Sequence, residues 1–280
     1  MNPAHELKII ANLLRGDVLK MAVTAQAGHI AGPLSSAEIF SVLFASGVMK
    51  YDAKNPNWEE RDRLILSCGH YCPVLYSALA RFQYFPVSEL MTFMKIDSRL
   101  PGHPERNLTP GVEVSAGPLG QGVSVAVGQA LGLKMKYGQR PQIATPKVFC
   151  VLSDGELQEG QVWEAFNFAT RRQLDNLIFI LDRNKIQIEN YISQIVTYGE
   201  VAGRLEAFGL HTIETDGNDT LLVREAIDRA KSVQGGPAIV IANTVAGKGV
   251  SFMENKPGWH DRVPSEDELK RALIELGAVE

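Results

Sequence analysis

The sequence predicts an α/β protein whose mostly parallel sheet carries helices on both faces. Short β-rich runs alternate with longer helix-like segments from Lys147 onward, the order that strand-helix-strand crossovers produce. Two of those runs end in polar residues, Ser153-Asp154-Gly155 and Asp182-Arg183-Asn184, with a helix-like stretch at 160–174 between them. With 280 residues, 45% hydrophobic and 21% charged, the chain is long enough to bury the core of one large domain spanning 1–280, although two lobes would also suit that length. No low-complexity segment, internal repeat or long Gly/Ser linker interrupts it.

Helix-like composition marks 5–25 and 36–44, and the apolar run Leu64-Ile65-Leu66 marks a strand at 63–66. A helix at 73–82 follows directly, so Ser67 to Cys72 form a strand-to-helix turn. The segment 95–117 is rich in Pro, Gly and His and lacks apolar periodicity; irregular stretches of that length are functional or disordered, and this content favours function. The helix at 119–137 holds small residues over 123–133 that admit close approach of another helix or a cofactor. Strand 147–152, helix 160–174 and strand 176–181 make one crossover unit. Strand 211–215, helix 220–231 and strand 238–243 repeat the alternation. The last helix, 265–276, opens on Ser265-Glu266-Asp267-Glu268, a capping box of hydroxyl N-cap and acid three residues later.

Charge and composition exclude several classes. A net charge of −4 and a pI near 5.9 supply no basic face for nucleic acid. No apolar run approaches a membrane span, and the amino terminus, with His5, Glu6 and Lys8, lacks a signal-peptide core, so the cytoplasm is the expected compartment. Cys68, Cys72 and Cys150 are too few for a disulfide scaffold and read as reduced thiols. Cys68-Gly69-His70-Tyr71-Cys72 offers two thiolates and an imidazole to zinc but lacks the fourth ligand of a structural site. At that turn His70 has another use, pointing an N–H at an anion near a helix amino terminus.

Asp154 and Asn184 stand thirty positions apart, each beyond the carboxyl end of a strand-like run. Parallel neighbours would bring them together where open α/β sheets bind ligands. A carboxylate and a side-chain amide are hard oxygen donors that suit Mg²⁺ or Ca²⁺ and leave coordination positions for diphosphate oxygens and water. Asp-Gly and Asn are also common turn formers, so a purely local reading stays open on these residues alone.

Ser153-Asp154-Gly155 followed by Asn184-Lys185-Ile186 resembles the thiamine-diphosphate fingerprint, with Ser153 standing where that pattern has a first Gly. Five further segments resemble transketolases in order and rough spacing. They are Ala27-Gly28-His29-Ile30-Ala31-Gly32-Pro33, Ser67-Cys68-Gly69-His70, Leu100-Pro101-Gly102-His103-Pro104-Glu105, Gly117-Pro118-Leu119-Gly120-Gln121-Gly122, and the stretch from Ala246-Gly247-Lys248-Gly249 to Gly258-Trp259-His260. The resemblance covers nearly the whole chain and implies the pyrophosphate domain of the thiamine-diphosphate-binding fold.

It also implies roles. His70, Gly155, Glu156, Asn184 and His260 would contact the cofactor's diphosphate side, and Gly117 and Leu119 its thiazolium. Asp154, Asn184 and the Ile186 carbonyl would hold Mg²⁺ or Ca²⁺. His29, His103 and His260 would serve catalysis, with His29 and His103 facing substrate, because ketol transfer needs groups that move protons near neutral pH. Glu159 and Glu164 would lie at a subunit interface and link two cofactors through a proton-carrying network; exposed acids at a helix start are the plainer account of both. In the family a Glu on a pyrimidine-binding domain activates the cofactor. This chain ends at Glu280, where that domain would begin, so a second, carboxyl-terminal subunit is expected, in an α₂β₂-type assembly acting on sugar phosphates. The rival readings are another thiamine-diphosphate enzyme, 1-deoxyxylulose-phosphate synthase-like or 2-oxo-acid dehydrogenase α-like, a non-catalytic cofactor-binding subunit, and an unrelated metal-dependent phosphohydrolase. The last would need a second acid beside Asp154, for which Asp182 is the nearby candidate.

Overall fold

The computed structural model describes residues 3–140, 142–188, 190–197 and 199–278. The expected domain limits at 1 and 280 therefore lie outside the described residues. Five parallel strands form the central sheet: β1 (Arg63–Leu66), β2 (Val148–Ser153), β3 (Leu177–Arg183), β6 (His211–Asp216) and β7 (Ala238–Asn243), ordered β1-β2-β3-β7-β6. A separate two-stranded antiparallel hairpin, β4 (Ile186–Gln187) and β5 (Asn190–Tyr191), follows β3 directly.

Helices cover both faces, as the alternation of elements requires. Side chains alternate across a strand, so Phe149, Val151, Ile178, Ile180 and Val240 point to one face and Cys150, Leu152, Phe179, Leu181 and Ile239 to the other. The first face packs against α1 (Pro3–Ala25), α3 (Ala37–Ala45), α4 (Cys72–Arg81), α9 (Thr220–Ser232) and α10 (Glu266–Leu276). The second packs against α5 (Gln121–Tyr137), α6 (Gly160–Arg171) and α8 (Val201–Ala207). Two short α-helices, α2 (Ala31–Ser35) and α7 (Ile192–Ile195), complete the α-helices among the described residues.

The chain steps from β1 to β2 to β3 in one direction across the sheet and from β6 to β7 in the other. Right-handed crossovers then put α6 and α9 on opposite faces, which is where their buried residues lie. The direction reverses between β3 and β7, and the carboxyl ends of the strands beside such a switch point are where an open α/β sheet forms a crevice.

Element ends differ from the sequence reading by physical causes. The helix expected at 119–137 begins at Gln121, because Gly120 takes a left-handed conformation with φ +79. The helix expected at 160–174 ends at Arg171, and Gln173 turns the chain with φ +51. Strand β3 runs two residues further than expected, to Arg183, since its pairing with β7 continues to Asn243. Helix α2, the β4–β5 hairpin, α7 and α8 were not expected; all are short, and short elements owe their form to tertiary contacts more than to propensity. The capping box at Ser265 forms as expected, with Glu268 N–H donating to Ser265 Oγ and Ser265 N–H to Glu268 Oε2.

Candidate active site

Parallel pairing sets Ser153 opposite Asp182, so Asp154 and Asn184 leave neighbouring strands at nearly the same level. Lys185 then turns back with φ +67, a left-handed conformation rare for a side-chain-bearing residue, and its N–H donates to Asp154 Oδ2 at 2.7 Å. Asn184 accepts from the Ile186 N–H at 3.0 Å through Oδ1. Its Nδ2 donates to Asp182 Oδ2 at 2.9 Å and to the Tyr71 hydroxyl at 2.8 Å. The amide nitrogen is therefore committed to the interior, and Oδ1 is the atom left for a cation.

Asp182 is the hub of this arrangement, and it is fully buried. Its Oδ2 also accepts from Ser35 Oγ at 2.7 Å and from the Tyr71 hydroxyl at 2.9 Å, and its Oδ1 from Thr244 Oγ1 at 2.5 Å. Burial raises its pKa above the ordinary carboxylate value against the pull of those four donors. Asp154, only 5% exposed, is pushed up to about 8 by burial first and by the Asp182 carboxylate second. Two buried carboxylates side by side favour a cation, whose charge would offset both costs. The donor set of Asp154 carboxylate, Asn184 amide oxygen and Ile186 carbonyl fits a hard divalent metal that completes its shell with diphosphate and water oxygens. It does not fit zinc. The two cysteine thiols are buried and turned to separate backbone carbonyls, Cys68 to Val151 and Cys72 to Gly102, and no group of three His, Cys, Asp or Glu among the described residues is arranged to hold a metal ion. Nor is Asp182 a second free acid for metal-dependent hydrolysis, because four protein donors occupy it.

Three imidazoles stand beside this network. His29 lies 4.9 Å from His70 and 5.2 Å from His260 between ring centroids, and His70 lies 5.7 Å from His260. They come from three distant segments, joined in part by the Ile30 N–H donating to the His260 carbonyl at 2.9 Å. Tyr71 connects the two clusters, with its ring edge-on to His70 at 4.8 Å and its hydroxyl bonded to Asn184 and Asp182. Burial, then the neighbouring imidazoles, holds His70 down to about 3; burial, then His260, holds His29 down to about 4. His260 is lowered as well, chiefly by burial. All three are neutral at pH 7, each offering one N–H donor and one acceptor nitrogen.

The loop of Gly117 closes another side. A Cβ on Gly69 would stand 2.5 Å from the Ala116 carbonyl oxygen, so only glycine lets the turn that carries His70 meet this loop. His103 is exposed, and its Cδ2 would lie 3.9 Å from a Cβ on Gly117, so these two sequence-selected residues are neighbours. Leu119 is half-buried, its carbonyl accepting from Gln161 Nε2 at 3.0 Å. Gly155 lies beside Gln187 of the hairpin.

Glu156 is wholly buried and spent on protein donors. Its Oε1 accepts from Ser67 Oγ at 2.6 Å and the Gly120 N–H at 2.7 Å, and its Oε2 from the Ser153 N–H at 2.9 Å. It ties the ends of β1 and β2 to the Gly117–Gly120 loop. Glu159 and Glu164 sit apart from this cluster, exposed at the N-cap and in the second turn of α6. The sequence reading named Asp182 only as a candidate second acid for metal-dependent hydrolysis and did not select Tyr71, Ser35 or Thr244. The one available signal was a charge inside the apolar run of β3, since a buried Asp needs partners.

A buried oxygen pair at the sheet's switch point beside uncharged imidazoles offers the surroundings a metal-bound diphosphate would need. Residues 7–279 match the family model described as transketolase, thiamine diphosphate binding domain, and the chain belongs to that family. A 6-deoxy-6-sulfo-D-fructose transketolase subunit, SqwG, from Clostridium sp. (strain MSTE9) is 39% identical over 272 residues, covering 97% of this chain and 95% of that protein. An apulose-4-phosphate transketolase subunit from Actinobacillus succinogenes is 40% identical over 283 residues, covering 99% of each. Among solved structures, transketolase from Campylobacter jejuni superposes with a TM-score of 0.92 at 36% identity, over 99% of this chain and 43% of that one. The chain thus spans about two fifths of that transketolase and nearly all of the two subunits.

Proposed function

We propose that this chain is the pyrophosphate-binding subunit of a two-subunit transketolase, forming one domain that works with a carboxyl-terminal partner in an α₂β₂-type assembly. The supporting observation is the meeting of Asp154 and Asn184 with three neutral histidines around Tyr71 in a member of the thiamine-diphosphate-binding family. That two relatives matched over nearly their whole lengths are named as subunits supports the division into two chains. Asp154, Asn184 and the Ile186 carbonyl hold Mg²⁺ or Ca²⁺; His70, His260 and the backbone at Gly155 hold the diphosphate, and Gly117 and Leu119 line the thiazolium. Thiamine diphosphate, when bound, supplies the nucleophilic carbon that carries a two-carbon ketol unit from a ketose phosphate to an aldose phosphate.

The chain's own residues bind, orient and manage protons. Neutral His70 and His260 each keep one ring N–H to donate to a diphosphate oxygen. His29 and His103 face the sugar and hydrogen-bond its hydroxyls; His29, kept neutral by burial, accepts a hydroxyl proton and returns it. Glu156 acts indirectly, holding the Gly117–Gly120 loop against the strand ends. Glu159 and Glu164, exposed on α6, are available to a neighbouring subunit. The two relatives named for a sulfonated and a phosphorylated ketose point to an uncommon ketose with an anionic end as substrate. Three buried free thiols fit a reducing, cytoplasmic setting, and no described helix is long and apolar enough to cross a membrane.

The test is reconstitution. Equal amounts of this chain and its matching carboxyl-terminal subunit, with thiamine diphosphate and Mg²⁺, are expected to transfer a ketol unit between sugar phosphates, whereas either chain alone is inactive. Inactivity of the mixture across ketose phosphates and sulfonated ketoses, with cofactor bound, rejects the reading.

A further inference from the structure

Helix α4 begins one residue after Tyr71, and its first two turns carry Cys72 and Tyr76 at i and i+4 on one face. Both side chains are buried, and both reach the loop that precedes His103. The Tyr76 hydroxyl donates to the Pro101 carbonyl at 2.9 Å, and Cys72 Sγ lies 3.1 Å from the Gly102 carbonyl. These are the last two carbonyls before His103. The carbonyls on either side are held as well, Leu100 by the Met94 N–H at 2.9 Å and Pro104 by the Ala116 N–H at 3.1 Å. His103 itself remains exposed, so a rigid backbone presents a free imidazole.

We propose that Cys72 and Tyr76 are positioning residues for His103, fixing its reach relative to His70 because one helix start carries both the His70 turn and the two donors. The inference rests on the reading that His103 faces substrate. Burial raises the pKa of both groups, so each stays a protonated donor across the working pH range. Neither side chain touches substrate or cofactor; their effect passes through two backbone carbonyls to the imidazole. A thiol is a weak donor, and a serine at position 72 would serve the same carbonyl.

The test uses the reconstituted two-subunit enzyme with Tyr76→Phe, Cys72→Ala and Cys72→Ser, each also combined with His103→Ala. Tyr76→Phe is expected to lower kcat/KM for the ketose about fivefold, the worth of one ordinary hydrogen bond, and Cys72→Ala about twofold, since the thiol is the weaker donor. Thiamine diphosphate affinity should stay within about twofold, because neither substitution removes a cofactor contact. Cys72→Ser should restore the loss seen in Cys72→Ala, and neither clamp variant should add a loss when His103 is already Ala. Amide exchange over 99–105, read on the full chain, should quicken in Tyr76→Phe and Cys72→Ala alone. The proposal is overturned by equal losses in the His103→Ala background, by cofactor affinity falling in step with kcat/KM, or by unchanged exchange over 99–105. An inactive wild-type mixture would sink the functional reading instead, while the exchange measurement still decides whether the two donors hold the loop.

Discussion

Asp182 Oδ2 accepts a 2.9 Å hydrogen bond from Asn184 Nδ2, and that bond decides which end of the Asn184 amide is left for a ligand. Asp182 lies at the end of β3 and Asn184 one residue beyond it, so the strand end itself brings the pair within reach. Asp182→Ala removes the common acceptor of Ser35, Tyr71, Thr244 and Asn184 and leaves buried donors unpaired. The expected cost is about 3 kcal/mol or more in urea unfolding, with Asp182→Asn much milder. A loss below about 1 kcal/mol for Asp182→Ala would show that the network rearranges around the gap.

Asp154→Asn should separate stability from binding. The Asp154 carboxyl is raised in the folded chain to about 8 from an ordinary 3.8. The folded state therefore holds its proton where the unfolded state has lost it, and this group's stabilisation declines as pH rises from about 4 to about 8. Removing the titration should make cofactor-free Asp154→Asn progressively more stable than wild type across that window, while Mg²⁺-dependent thiamine diphosphate affinity falls by about tenfold or more. Melting temperatures across pH and calorimetric titration check the two halves; a stability gap that does not grow with pH counts against the buried carboxylate.

The histidine cluster has the opposite sign. His29 and His70 are depressed to about 4 and about 3 from an ordinary 6.5, so the unfolded chain binds protons that the folded chain refuses. Their contribution is complete above pH 6.5 and is lost as pH falls toward 4 and then 3. His70→Asn should flatten the acid limb of the stability profile. Ring-proton NMR should find both imidazoles neutral at pH 5.5, and bound diphosphate should raise their pKa values; an imidazole still titrating near 6.5 would refute the burial argument.

Glu156→Ala should loosen the Gly117–Gly120 loop, since Ser67 Oγ and the N–H groups of Gly120 and Ser153 lose their acceptor. A loss of about 2–4 kcal/mol and faster amide exchange at Gly120 are expected. If Glu156 contacts the cofactor directly, thiamine diphosphate affinity would fall while stability and exchange stayed level.

Much of this was legible in the residues. The β-rich runs ending in Asp154 and near Asn184 fixed a crossover unit, and with it the neighbourhood of the two oxygen donors, because parallel strands joined by a helix bring their carboxyl ends together. Glu156 was legible as part of the motif but not as a tether, because two of its three donors, Ser67 and Gly120, lie far away in the chain. Helix α2 and the β4–β5 hairpin escaped notice because segments that short carry too little periodicity.

By itself the sequence determined the α/β class, the order of most elements and the family, and it singled out His29, His70, His260, Asp154 and Asn184, since periodicity, caps and motif spacing are local properties of a chain. Only the tertiary structure decided that His29, His70 and His260 stand within 5.7 Å of one another and neutral, that Asp182 orients Asn184, and that Cys72 and Tyr76 grip the backbone ahead of His103. The imidazole cluster and the grip ahead of His103 join residues tens to hundreds of positions apart, Asp182 is itself fixed by Ser35, Tyr71 and Thr244 from distant segments, and a pKa or a hydrogen bond belongs to the surroundings a fold creates rather than to a residue type.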